Sequence, residues 1–188
     1  WQVYLHKTSL VAESLLVRVL KRAKELVYKG VKVPASDPFD YFLRNQINNE
    51  NFSNNDLNVF SKLDDYDIVS GMKCWMNHDD VVLSNLSKMI INRELLKVKL
   101  TKEPISKFEF EQLKKSTKNK FNLTDSEVDY FVFKSSVSNQ AYNAEESGIK
   151  ILLKTEEVID VAEASDHLNL KALSKPVKKY FVCYPKDN

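Results

Sequence analysis

Residues 95–100, Leu95-Leu96-Lys97-Val98-Lys99-Leu100, decide the fold class. Apolar residues upstream of this stretch recur at spacings of three and four, the period of a helix. Here they alternate with lysine at period two, which marks a strand. The chain therefore reads as helical up to about residue 93 and as mixed strand and helix after it. This predicts an α+β protein in two parts, a helical layer over residues 1–93 and an α+β domain over residues 94–188.

Working back toward the N-terminus, the spacing predicts a long helix over 8–29. Thr8 or Ser9 caps it, and Leu10, Val11, Leu15, Val19 and Leu26 form its apolar stripe. Lys21, Arg22, Lys24 and Lys29 crowd its C-terminal half, where the helix dipole favours cations. Gly30 follows as a residue free to take positive φ. Ser36-Asp37-Pro38 starts a short helix through Phe39, Phe42 and Leu43. The Asn-rich residues 45–55 read as an exposed loop. Asp56 caps a helix over 57–63. A further helix over 66–77 turns Ile68, Val69, Met72 and Trp75 inward. Asp79 caps the next, over 81–93, which buries Val82, Leu83, Leu86, Met89 and Ile90.

Working forward, Pro104 ends the first strand and a helix over 106–120 opens with Ser106 and Glu109 at capping-box spacing. Strands follow at 129–134 and 149–154, with a short one at 157–160. A weakly patterned helix spans 164–173 and a last strand 178–184. The order β-α-β-β-α-β predicts a ferredoxin-like domain, a four-stranded antiparallel sheet with two helices on one face.

Composition narrows the function. The chain has 188 residues, 28 Lys+Arg and 26 Asp+Glu, a formal net charge of +2 that is no nucleic-acid signature. No apolar run approaches the length that spans a bilayer, so no membrane role is expected. Three glycines, Gly30, Gly71 and Gly148, leave neither a P-loop nor a GxGxxG turn. Cys74 and Cys183 lack CxxC spacing, fit a reducing cytoplasm, and sit in apolar runs that predict burial. The chain opens at Trp1 on apolar residues without a charged, then apolar, leader, so we expect no signal peptide and a piece of a longer parent.

Three groups of residues invite chemistry. His78-Asp79 suggests a metal dyad, but convergent partners are missing, and the plainer reading makes Asp79 a helix cap. Lys114, Lys115, Lys118 and Lys120, beside Phe121, read as a solvated helix end rather than a nucleic-acid patch. No nucleophile constellation stands out among three histidines. Tyr4-Leu5-His6-Lys7 places an aromatic, an imidazole and a cation ahead of a helix N-terminus, whose free N–H groups favour anions. Its plain alternative is a packed His6 and a solvated Lys7.

The same segment, residues 3–26 (VYLHKTSLVAESLLVRVLKRAKEL), resembles the Tyr-x-His-Lys helix of the HD-domain deoxynucleoside triphosphate triphosphohydrolases and related HD phosphohydrolases. Residues 60–75 (FSKLDDYDIVSGMKCW) and 86–100 (LSKMIINRELLKVKL) look like the family's helical hairpin ending in an Arg and a strand. The strands at 149–154 and 178–184 fit its trailing α+β region. The resemblance implies a metal-dependent phosphohydrolase whose His…His-Asp…Asp ligands lie upstream of Trp1. This chain then carries no catalytic residue and no metal ligand of its own, and a divalent metal of the Mg/Mn/Fe/Zn class is expected in the missing half. It also implies a nucleotide or other phosphate ester as ligand, with Tyr4 near the sugar and His6 and Lys7 facing its phosphates. A homo-oligomer with a regulatory site between subunits is implied as well. Leu5 stands where nucleotide-hydrolysing relatives carry a polar residue, which leaves the substrate open.

Two other readings compete. One is a stand-alone interaction or ligand-binding module without enzymatic activity. The other is an RNA-binding sheet stacking bases on Tyr130, Phe131 or Phe133, against which core packing explains Phe131 and Phe133 more simply.

Overall fold

The computed structural model describes residues 6–139, 149–161 and 177–186. Five helices come first: α1 (Lys7–Tyr28), α2 (Asp37–Arg44), α3 (Asn54–Phe60), α4 (Asp65–Trp75) and α5 (Val81–Ile91). Then follow β1 (Lys97–Thr101), α6 (Lys107–Phe121), α7 (Asp125–Val128), β2 (Phe133–Asn139), β3 (Lys150–Leu152), β4 (Val158–Asp160) and β5 (Val177–Tyr184). The α+β class is as the sequence predicts. No helix among the described residues is long and apolar enough to cross a membrane.

Helix α1 is the axis of the helical layer. Leu15, Val19 and Ala23 on it are fully buried, and it packs against α2, α5 and β1. Its end is a Schellman turn, in which the N–H of Gly30 donates to the Val27 carbonyl and that of Val31 to the Leu26 carbonyl, each at 3.0 Å. Gly30 takes φ +77°, the conformation this turn requires. Trp75 closes the layer. Its indole N–H donates to the Pro34 carbonyl at 2.7 Å and its ring lies 5.6 Å from that of Phe39.

The helix starts differ from expectation by a residue or more, because the sequence offers several capping side chains at each. His6, rather than Thr8 or Ser9, caps α1. Ser53 caps α3, and Asp56 sits three residues on, completing a capping box. Asp80, not Asp79, caps α5 by accepting from the Leu83 N–H at 2.8 Å. On α4, Met72 and Trp75 are buried, but Val69 faces solvent. Cys74 is also exposed, against the prediction, while Cys183 is fully buried. Burial pushes the Cys183 thiol up to about 12.

The strand order departs from the ferredoxin-like arrangement. Among the described residues the main sheet has three strands in the order β1-β5-β2, with β5 antiparallel to both neighbours. Strands β3 and β4 pair only with each other, across a tight turn in which the Leu153 N–H donates to the Glu157 carbonyl at 2.8 Å. Period-two alternation locates strands without naming their partners. The unbroken run Phe181-Val182-Cys183, buried on both sides, belongs at the centre of a sheet. The face carrying Cys183 and Phe133 meets α1. The face carrying Val182 meets α6, where Lys99 pairs with Glu109 and Lys134 lies over Phe110. The segment expected as a strand over 129–134 is mostly the turn leading from α7, and β2 begins only at Phe133. The helix expected over 164–173 lies outside the described residues.

One apolar cluster joins residues on both sides of position 93. Val11, Leu15 and Leu86 belong to it together with Leu96, Phe131 and Phe181.

Candidate functional site

Lys7 is the last residue of the predicted binding segment and the first residue of α1. It lines a small cavity of about 170 Å³ with Thr8, Val11, Leu95, Leu96 and two further cations, Arg93 and Lys186. The apolar side chains make its floor, since Leu96 is 4% exposed and Val11 1%. A larger cavity of about 530 Å³ shares Arg93, Leu95, Leu96 and Lys186 and adds Lys88, Lys120 and the ring of Phe121. Together they form one cleft where the start of α1, the end of α5, the start of β1 and the end of β5 meet. Five cations line the cleft against the single carboxylate of Glu94.

Each cation reaches the cleft for a local reason. Lys7 stands on the first turn of α1, where the backbone N–H groups of residues 7 and 9 have no helical carbonyl to meet. Arg93 follows the C-cap of α5, Asn92, and takes φ +59° so that the chain can turn into β1. A side chain with a Cβ pays about 1 kcal/mol for that conformation, and Gly or Asn is the usual occupant. The Arg93 guanidinium has no carboxylate partner among the described residues. Lys186 follows β5, and its carbonyl accepts from Lys120 Nζ at 2.9 Å, which ties the end of α6 to the cleft. Phe121 is braced from behind by Phe131, stacked at 5.5 Å with 8° between planes.

The other predicted site residues fall as follows. His6 is exposed next to the cleft, and its Nδ1 accepts from the Thr8 N–H at 3.3 Å. The ring thus caps the helix and has Nε2 left over. Tyr4 lies outside the described residues. The sequence reading missed Arg93 and Lys186. The only available signal was Arg93 itself, an arginine placed where a helix ends and glycine is the common choice.

His78 makes no metal dyad. Its Nδ1 accepts from the Asp80 N–H at 3.0 Å, and its Nε2 lies 3.1 Å from the Lys32 carbonyl, to which it donates. No three His, Cys, Asp or Glu side chains gather as a metal site among the described residues. Asp80 instead takes a two-pronged pair from Arg22, with Nε to Oδ1 at 3.0 Å and an Nη to Oδ2 at 2.6 Å. The lysine run on α6 is partly spent within the chain, Lys114 on Asp129 at 2.7 Å and Lys118 on Asp125 at 2.6 Å. Tyr130, Phe131 and Phe133 are all buried and give no platform for stacked bases.

No protein-family model matches the chain. The fold matches the crystal structure of a phosphohydrolase from Bacteroides thetaiotaomicron VPI-5482, with a TM-score of 0.87 and 42% sequence identity, over 99% of this chain and 47% of that one. Among curated proteins, the uncharacterized protein YwfO of Bacillus subtilis (strain 168) is 32% identical over 96 residues, which is 50% of this chain and 20% of YwfO. The chain thus spans about half the length of the first and about a fifth of the second.

Proposed function

We propose that this chain is the ligand-gripping portion of a metal-dependent phosphohydrolase of the HD type. Its cationic cleft holds the phosphates of a nucleotide or related phosphate ester. The observation that carries the reading is the convergence of Lys7, Arg93 and Lys186 on the first turn of α1, over an apolar floor. Unpaired cations beside free helix N–H groups favour a polyanion, and Phe121 lines the adjoining space as an apolar surface for a base or sugar. The likeness to a phosphohydrolase over nearly all of the chain supports the same assignment. We place the divalent metal in polypeptide outside this chain, as the resemblance to HD phosphohydrolases implies. What the chain does itself is bind and orient. Lys7 and Arg93 neutralise phosphate charge, His6 fixes the helix end at which that charge sits, and a second copy of the chain completes the cleft as a regulatory site.

Calorimetric titration with deoxynucleoside triphosphates tests this. Saturable binding is expected, weakened about a hundredfold in a Lys7→Ala/Arg93→Ala double variant, because each charge-assisted contact contributes about 1.5–3 kcal/mol. Equal affinity in the wild type and the double variant would remove the proposal.

A further inference from the structure

A second charged cavity lies against the other half of α1, far from the cleft, and nothing in the proposed function uses it. Its volume is about 500 Å³, within the range of small-molecule sites. One wall is a single face of α1, formed by Arg18, Lys21, Glu25 and Lys29 with Arg22 between them. The other wall comes from Ser126, Asp129 and Tyr130.

Arg18 is the unusual member. Its guanidinium lies 3.3 Å from the centre of the Phe133 ring, so its face is covered and its edge remains. One of its five N–H donors goes to the Ser14 carbonyl at 3.2 Å. No carboxylate pairs with it among the described residues, although it is only partly exposed. Burial lowers its pKa, and the groups opposing that are Cys183 and Tyr130, both neutral at pH 7. A half-buried cation without a counter-charge is costly, and an anion in the cavity would supply the missing charge. Arg22, by contrast, is fully engaged with Asp80.

The opposite wall contains the buried Tyr130 hydroxyl, which faces the Glu25 carboxylate without a hydrogen bond of normal geometry among the described residues. Burial and the nearby Glu25 carboxylate raise its pKa. Two carboxylates also face the space. Asp129 gives Oδ1 to Lys114 and keeps Oδ2, while Glu25 pairs through Oε2 with Arg22 at 3.5 Å and lies beside the Tyr130 hydroxyl. These carboxylates repel a bare phosphate and accept from hydroxyl groups. The space also exceeds what inorganic phosphate fills. We infer that this cavity binds a phosphorylated sugar, its phosphate on the free edge of Arg18 and on Lys21, its hydroxyls on Glu25 and Asp129.

Titration of ¹⁵N-labelled protein with ribose 5-phosphate, inorganic phosphate and ribose tests the inference. Ribose 5-phosphate is expected to shift the Ser126 and Tyr130 amides saturably and to bind at least about tenfold more tightly than either part alone. Arg18→Lys, which keeps the charge and loses the fork, should weaken it about tenfold. The exposed Lys21→Ser should weaken it about threefold without affecting folding, which covers the case of an unstable Arg18 variant. The Lys7→Ala/Arg93→Ala variant should bind ribose 5-phosphate in this cavity unchanged, so the two sites are judged separately. The inference is overturned by unshifted Ser126 and Tyr130 amides, by an affinity that ignores Arg18 and Lys21, or by inorganic phosphate binding as tightly as the sugar phosphate.

Discussion

Arg93 sets a local cost against a function. Its positive φ is imposed by the turn from α5 into β1, and glycine would take that conformation without strain. If its side chain is kept for the cleft, Arg93→Gly should raise stability by about 1 kcal/mol while weakening nucleotide binding about tenfold. Urea denaturation and calorimetry on the same preparation measure both; a variant that loses stability and binds normally would show that the guanidinium serves the fold instead. Asp80 shows the opposite case, a charged residue with a structural task. Burial alone would raise its pKa, but the hydrogen bonds from Arg22 and the Leu83 N–H hold it below its ordinary value of 3.8. A carboxylate with a depressed folded pKa stabilises fully above its unfolded pKa, and that contribution fades as pH falls through the lower folded value. Asp80→Asn should therefore cost about 3 kcal/mol at pH 7 and flatten the loss of stability below pH 4. Equal wild-type and variant stability across pH 3–7 would refute the role. None of this was visible in the residues alone, because Arg22 and Asp80 are separated by 58 positions and each has an adequate local explanation, as a dipole-favoured cation and as a cap.

At the scale of elements, Phe39 of α2 approaches Gly71 of α4 closely. A Cβ added at Gly71 would stand 3.0 Å from Phe39 Cε1 and 3.2 Å from Trp75 Cζ2. Both rings are buried, and Trp75 is anchored through its N–H to Pro34, so neither gives way easily. Gly71→Ala should gain about 1 kcal/mol of helix propensity and lose more to overpacking, for a net loss of about 1–2 kcal/mol. A rise in melting temperature would show that the rings yield. Helices α1 to α6 were legible, since apolar period and capping residues are local signals, and the errors there were shifts of one to three residues among neighbouring caps, while the four-residue α7 carries too short a pattern to be read. Strand partners were not legible. Residues 178–184 gave a strand by composition, yet nothing in them says that β5 lies between β1 and β2, a choice made by the packing of α1 and α6 on its two faces.

For the whole molecule, α1 spans about 33 Å, from 22 residues at 1.5 Å each, and ties the two parts of the sequence together. Its first turn meets the ends of α5 and β5 at the cleft, and its last turns hold α5 through Arg22 and Asp80. Lys7 was legible as a candidate for binding because helix starts favour anions. Arg93 and Lys186 were not, because only the folded chain brings residues so far apart in sequence to the same place. The decisive experiment is a crystal of this protein soaked with a non-hydrolysable deoxynucleoside triphosphate analogue. Phosphate density is expected within hydrogen-bonding distance of Lys7 and Arg93, at the first turn of α1. Density for the analogue elsewhere on the chain, with this cleft empty, would contradict the proposed role of the cleft.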